Sequence, residues 1–216
     1  GMTYKAAAAG LNLGGGKAVI IGDPKTQKSE GLFRAFGRFV NSLGGRYITA
    51  EDVGTGVRDM EYVFMETPWG TGIPKAFGGS GDPSPYTAQG VLQGIKASVK
   101  TKLQLDSLKG LRVAVQGLGN VGSNLVQLLL KEGAMVFVSD IDADKVKTMV
   151  NRGAEGVSPE KILEIECDVL APCALGAVID DKSIEKLRCS IVAGGANNQL
   201  AEARHGLALM ERGILY

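Results

Sequence analysis

Two lysines and one carboxylate within the first 52 residues, and a glycine-spaced turn in the middle of the chain, have the types and spacing to do chemistry. Lys17 closes the run GLNLGGGK, and the successive glycines Gly14, Gly15 and Gly16 leave no side chain between a small ligand and the backbone or that lysine. Lys5 precedes an alanine run in the same segment. Glu51 and Asp52 follow Arg46–Ala50, a short strand by its composition, and precede Gly54. This puts an acid at a strand end beside glycine, where sheet proteins build sites. An isolated lysine is ordinarily a solvated surface charge.

The stretch LRVAVQGLGNVGSNLVQLLLKEGAMVFVSD, Leu111 to Asp140, reads as strand, glycine turn, helix and second strand ending on an acid. Gly117 permits the tight turn, Gly119 lets the backbone approach a pyrophosphate, and Gly122 lets the helix lie close to the strand. Leu118, Asn120, Val121 and Ser123 complete the turn and helix start, whose peptide N–H groups and positive dipole end face an anion. Asp140 is placed to accept from the adenosine-ribose hydroxyls, with Ile141 beside it, and its charge repels a 2′-phosphate. No arginine follows, so NAD is favoured over NADP as cofactor. A bare GxGxxG is weak in a chain with 31 glycines, but the strand before it, the helix after it and the closing acid make the context specific. The alternative is a turn that serves helix–sheet packing alone.

A chain of 216 residues with 44% hydrophobic content has material for one large domain or two small ones. Its 24 basic and 23 acidic residues argue against an electrostatic footprint for nucleic acid or anionic membrane. No apolar run approaches membrane-spanning length and no targeting peptide is evident, so a cytoplasmic protein is expected. Cys167, Cys173 and Cys189 lack the spacing of a zinc site or disulfide framework and are expected as reduced thiols. The single histidine, His205, excludes a multi-histidine metal site; it falls off the apolar face of Leu200, Ala203, Leu207 and Met210 and is expected on the surface.

These residues need elements to hold them. AVIIG after Lys17 reads as a buried strand ended by Asp23-Pro24. A helix capped by Ser29 carries Leu32, Phe33, Phe36, Val40 and Leu43 up to Gly44. A short helix, Val57 to Glu66, leads into the glycine- and proline-rich loop TPWGTGIPKAFGGSGDPSP, long enough to bind something or move. A helix from Pro85 to Leu103 links to the nucleotide unit. Beyond Asp140 follow a helix (142–151), a strand (155–157), a helix (159–165), the strand DVLA, a helix (183–187), the strand SIVAG and a helix (199–212). Such alternation implies a doubly wound parallel sheet of the Rossmann type. The loops APCALG and AGGANN leave strand ends on its ligand side. Small residues there, Cys173 and Ala174 among them, let a nicotinamide sit close, and Asn197 can pair with its carboxamide. Cys173 as a small buried hydrophobe is an equal alternative.

GMTYKAAAAGLNLGGGKAVIIGDP, RYITAEDVGT, SGDPSP, TAQGV, GLGNVG, APCALG and AGGANNQL together resemble the leucine and phenylalanine branch of the Glu/Leu/Phe/Val amino acid dehydrogenases, with glutamate dehydrogenase more distant. The resemblance runs along nearly the whole chain. It implies a partial α/β substrate-binding domain, residues 1–85, before an NAD-binding Rossmann domain, 86–216. It also implies NAD-dependent oxidative deamination of a branched-chain or aromatic L-amino acid to its 2-oxo acid and ammonia. By the same resemblance Lys5, with Gly14 and Gly15, binds the substrate carboxylate, Lys17 is the general base, and Asp52 is proton shuttle and ammonium partner. A lysine base needs its pKa lowered, which burial and a neighbouring cation achieve. Thr87 approaches the nicotinamide ring or merely starts its helix. Relative to the family pattern, the chain begins after a glycine-rich substrate-contacting segment and stops at GILY before the segment that closes the cleft. A homo-oligomer is expected, with no nucleic acid or membrane partner. The alternative to an enzyme is a non-catalytic NAD-binding or assembly module of the same family.

Overall fold

Val113, Ala114 and Val115, all fully buried, form the heart of the central strand in the computed structural model, which describes residues 1–216. In chain order the elements are α1 (Met2–Ala8), α2 (Glu30–Ser42), α3 (Val57–Phe64), a 3-10 turn (Lys75–Phe77), α4 (Ser84–Leu103), β1 (Arg112–Gln116), α5 (Asn120–Lys131) and β2 (Met135–Ser139). They continue with α6 (Ala143–Val150), β3 (Glu155–Gly156), β4 (Val169–Pro172), α7 (Asp181–Lys186), β5 (Ile191–Val192) and α8 (Arg204–Glu211). The chain divides into two units, Gly1–Pro83 and Ser84–Tyr216.

In the second unit five parallel strands lie in the order β3-β2-β1-β4-β5. Strand alternation sends neighbouring residues to opposite faces. Val113, Val115, Val136, Val138, Val169, Ala171 and Ile191 enter one apolar cluster with residues of α4 and α5. Ala114, Leu170 and Val192 enter a second with Ile184 and Leu209. Both faces are therefore covered, the condition for a parallel sheet and the meaning of doubly wound. Leu125, Val126 and Leu129 of α5 are fully buried, so truncating either leucine to alanine costs about 2–5 kcal/mol. Gly133, at φ +79°, ends the helix as the sequence implies, with Ala134 N–H donating to Leu129 O at 3.1 Å.

Two helices of this unit depart from the sequence reading. Residues 159–165 make turns, not a helix, although Ile162 is fully buried in the second cluster. The last helix starts at Arg204, not at 199, and its buried face is His205 and Leu209, while Leu207 and Met210 are exposed. His205 is thus not a surface residue: it is 1% exposed, and its Nδ1 accepts from Glu202 N–H at 3.0 Å. The imidazole closes the turn before the helix, and Leu200 and Ala203, which belong to the expected apolar face, lie before the helix rather than on it.

The first unit has a small core of Phe33, Met60, Val63 and Ile73, flanked by Phe36 and Tyr62. Ser29 caps α2 through its Oγ, which accepts from Leu32 N–H at 3.2 Å. Gly37 of α2 meets α3 where a Cβ would come within 2.8 Å of Val63 O. The expected strand AVIIG is absent. Residues 11–21 are irregular and exposed, with Ile21 97% exposed. Arg46–Ala50 contributes only the parallel bridge Thr49–Gly70. β-composition alone does not make a strand; a ladder partner is required, and no neighbouring strand pairs with residues 18–21.

Candidate functional site

The strand order reverses direction between β1 and β4, and such a switch point is where open parallel sheets hold their ligands. Gly117 leaves β1 at φ +95° and donates to Ser139 O at 2.7 Å. A Cβ on Gly117 would lie 2.7 Å from Ala174 N, and one on Gly122 would lie 1.9 Å from Gly117 O. A Cβ on Gly119 would meet nothing within 4 Å. The first and third glycines are thus demanded by the protein's own packing, whereas the middle one faces open space. α5 begins at Asn120 with Gly119 as its cap and no side-chain cap bond, so its first peptide donors are not consumed by a capping side chain. Ser123 Oγ donates to Leu118 O at 2.9 Å and fastens the turn to the helix.

Asp140 stands at the end of β2 facing this turn. Its Oδ2 accepts from Leu118 N–H at 2.6 Å and its Oδ1 from Asp142 N–H at 2.9 Å. Both bonds fix the carboxylate, and each oxygen keeps a lone pair for a hydroxyl donor. Ile141 beside it is 95% exposed. An open glycine, an anion-binding helix start and an oriented acid fit a dinucleotide.

After β4, Cys173 N–H donates to Gln116 O at 2.7 Å. Its Sγ would lie 3.7 Å from a Cβ on Gly195, and burial pushes the thiol up to about 11, so it is a neutral group beside the glycine turn. The loops Ala171–Gly176 and Ala193–Asn198 are joined: Ala196 N–H donates to Pro172 O at 2.9 Å and Ala177 N–H to Asn198 O at 2.8 Å. Gly176 packs on the Asn197 carbonyl so closely that a Cβ would come within 2.3 Å. Asn197 and Ala174 therefore belong to two loops fastened together at the carboxyl ends of β4 and β5. Thr87 is exposed in the first turn of α4.

In the first unit the glycine run is wedged between neighbours. A Cβ on Gly15 would lie 2.5 Å from Thr3 N on α1, the helix that carries Lys5, and one on Gly16 would lie 2.9 Å from the Tyr47 ring. Gly14 has open space. Lys17, next in the chain, forms an ion pair with Asp52 Oδ2, with both side chains about half exposed. Asp52 is held by its own turn: its N–H donates to Thr55 Oγ1 at 2.8 Å, and its Oδ1 accepts from Val53 N–H at 2.8 Å. Gly54, at φ +81°, completes that turn. The structure thus brings Lys17 and Asp52 together and seats the glycine run against the helix bearing Lys5.

Asp82, which stands against Glu51, and Gln199 were not singled out by their spacing. Glu51 Oε2 is buried without a donor, and its carboxyl faces that of Asp82. Burial first, then the charge and hydrogen bond of Asp82 and the charge of Asp59, push Glu51 up to about 7. The only sequence signal for Asp82 was its place in SGDPSP. In the second unit Gln199, following ANN, sends its amide into the loop before it.

Comparison with known proteins agrees with this geometry. The family profile described as "Glu/Leu/Phe/Val dehydrogenase, dimerisation domain" matches residues 1–69, and "Glutamate/Leucine/Phenylalanine/Valine dehydrogenase" matches 78–144 and 139–216. The chain is 58% identical to the leucine dehydrogenase of Thermoactinomyces intermedius, over 100% of its own length and 59% of that protein. It is 47% identical to the phenylalanine dehydrogenase of Lysinibacillus sphaericus, over 100% of its length and 58% of that protein. The crystal structure of L-tryptophan dehydrogenase from Nostoc punctiforme superposes with a TM-score of 0.76 at 44% identity, covering 100% of this chain and 61% of that one. The chain thus spans about three fifths of the length of these relatives. With both parts matched in order and the nucleotide turn in its structural context, the chain belongs to the Glu/Leu/Phe/Val dehydrogenase family.

Proposed function

We propose that the protein acts in the NAD-dependent oxidative deamination of a branched-chain or aromatic L-amino acid to its 2-oxo acid and ammonia. In this reading Gly1–Pro83 is the substrate-binding unit and Ser84–Tyr216 the cofactor-binding unit. The observation that carries the reading is the Lys17–Asp52 pair: an amine and a carboxylate in contact, next to a glycine run packed against the helix that bears Lys5. Leucine and phenylalanine dehydrogenases as relatives support the substrate class.

The dinucleotide, when bound, supplies an acceptor for the hydride on the substrate α-carbon. Gly117, Gly119, Gly122 and the α5 start would hold its pyrophosphate, and Asp140 the adenosine ribose. Asn197 would hold the nicotinamide carboxamide, with neutral Cys173 and Ala174 as close, uncharged neighbours. In the first unit Lys5 binds the substrate carboxylate. Asp52 takes a proton from the substrate ammonium, so that hydride loss leaves an iminium carbon. Lys17, once it has released its own proton, takes one from the water that adds to that carbon. Asp52 then returns its proton to the nitrogen, which leaves as ammonia while the carbinol hydroxyl gives its proton to solvent. The contact with Lys17 keeps the carboxylate of Asp52 aimed at that task.

Self-association belongs to the same proposal, supported by the dimerisation-domain match over residues 1–69, and sedimentation tests it. So does a cytoplasmic location; no helix is long and apolar enough to cross a membrane. The deciding experiment is NADH production from a panel of branched and aromatic L-amino acids at alkaline pH, with and without Lys17→Ala. Turnover that the substitution abolishes supports the reading, and turnover indifferent to it removes the mechanism.

A further inference from the structure

Gln199 follows the loop Ala193–Asn198 and is only 7% exposed. Its side chain folds back into that loop, with Nε2 donating to the Gly194 carbonyl at 2.8 Å and the Ala196 carbonyl at 3.2 Å. Both N–H donors of the amide are thereby used. Its Oε1 is buried without a partner. An orphaned buried acceptor opposes folding, so what the amide contributes here it contributes through its nitrogen.

The loop needs such a fastening. It leaves β5 after two paired residues, and beyond them its carbonyls have no strand to bond. Gly194 rides so close to Pro172 that a Cβ would come within 2.2 Å of its carbonyl oxygen, and Asn198 is left-handed at φ +48°. Backbone bonds hold the loop to its neighbour through Ala196 and Asn198, while Gln199 supplies the donors that satisfy two carbonyls of the loop itself. Asn197 lies between these anchored residues.

We infer that Gln199 is a positioning residue for the nicotinamide half of the cofactor: by tying the Gly194 and Ala196 carbonyls it holds Asn197 in the orientation that meets the carboxamide. This rests on the NAD reading proposed above. It separates the two halves of the dinucleotide, because in that reading the pyrophosphate and adenosine are held by Gly117–Ser123 and Asp140, none of which bonds the Gln199 amide.

The test uses the full chain and calorimetric titration with two ligands: NADH, and ADP-ribose, which lacks the nicotinamide. Gln199→Met keeps the length of the side chain and removes both donors. The expected result is unchanged affinity for ADP-ribose and about tenfold weaker NADH binding, the size of effect that one or two lost hydrogen bonds produce, together with loss of the NADH fluorescence change seen on binding to the unsubstituted chain. Gln199→Asn, which keeps the amide but falls one carbon short, reproduces the split to a smaller degree and serves if the methionine variant does not fold. Equal weakening of both ligands would reduce Gln199 to a general structural role and overturn the inference, as would unchanged NADH affinity and emission. Failure of the unsubstituted chain to bind either ligand would instead remove the NAD reading itself.

Discussion

Lys17 and Asp52, 35 residues apart in the chain, meet as an ion pair between side chains that both remain about half open to solvent. A pair so exposed contributes about 0–1 kcal/mol to folding. Its stabilising value is therefore too small to be its purpose, and stability and turnover separate cleanly. Lys17→Ala and Asp52→Asn are expected to leave the melting temperature nearly unchanged while lowering kcat by about 10²–10⁴, the usual worth of a general acid or base. Thermal melts and initial rates on the same preparations check this.

The carboxyl pair of Glu51 and Asp82 makes the first unit sensitive to pH. Glu51 is raised from 4.5 to about 7 in the folded chain, so the folded state holds a proton that the unfolded state releases. Its contribution to stability is fully present below about 4.5, declines as pH rises, and is gone above about 7. Melting temperatures measured at intervals from pH 4.5 to 8 are expected to fall less steeply for Glu51→Gln, which stays uncharged throughout, than for the unsubstituted chain.

The three glycines of the nucleotide turn are expected to fail in different ways. Gly122→Ala puts a methyl group 1.9 Å from a carbonyl oxygen of the backbone. Such overpacking costs about 1–3 kcal/mol or more and moves the turn. Gly119→Ala meets nothing within 4 Å at an ordinary negative φ, −68°, and its cost stays near that of a poorer helix cap, about 1 kcal/mol. In the proposed reading the added methyl stands in the path of a pyrophosphate. Denaturant melts should single out Gly122→Ala, while Gly119→Ala should fold and lose dinucleotide affinity.

In the proposed reading, cofactor choice rests on Asp140. Replacing it by serine and exposed Ile141 by arginine removes the charge that repels a 2′-phosphate and supplies one that attracts it. Titration with NADH and NADPH should show the preference moving towards NADPH. Because Asp140 also accepts from Leu118 N–H, Asp140→Asn is the control that keeps an acceptor there; it should weaken NADH without creating an NADPH site.

The second unit was legible because its signals are local. Strand, glycine turn, helix and acid follow one another within thirty residues, and each needs only its neighbours in the chain. Asp142, Asp180 and Ser183 cap α6 and α7 by bonds that span three residues or fewer. AVIIG misled for the opposite reason: its composition suits a strand, but strand formation depends on a partner that the run itself cannot specify. His205 was misplaced because Leu200 and Ala203, two of the four residues that defined the expected apolar face, lie before the helix rather than on it. Gln199 and Asp82 carried no periodic signal, since one acts through a folded-back amide and the other through a carboxyl brought close by a loop.

The sutures between Ala171–Gly176 and Ala193–Asn198 constrain how this protein can change. Ala196 on Pro172 and Ala177 on Asn198 lock the two segments residue for residue, and Gly176 and Gly194 leave no space for even a methyl group. An insertion or enlargement in one segment breaks the seam unless the other yields at the same step. The two segments thus behave as one piece, and a substitution that retunes this chain without breaking the seam has to enter elsewhere.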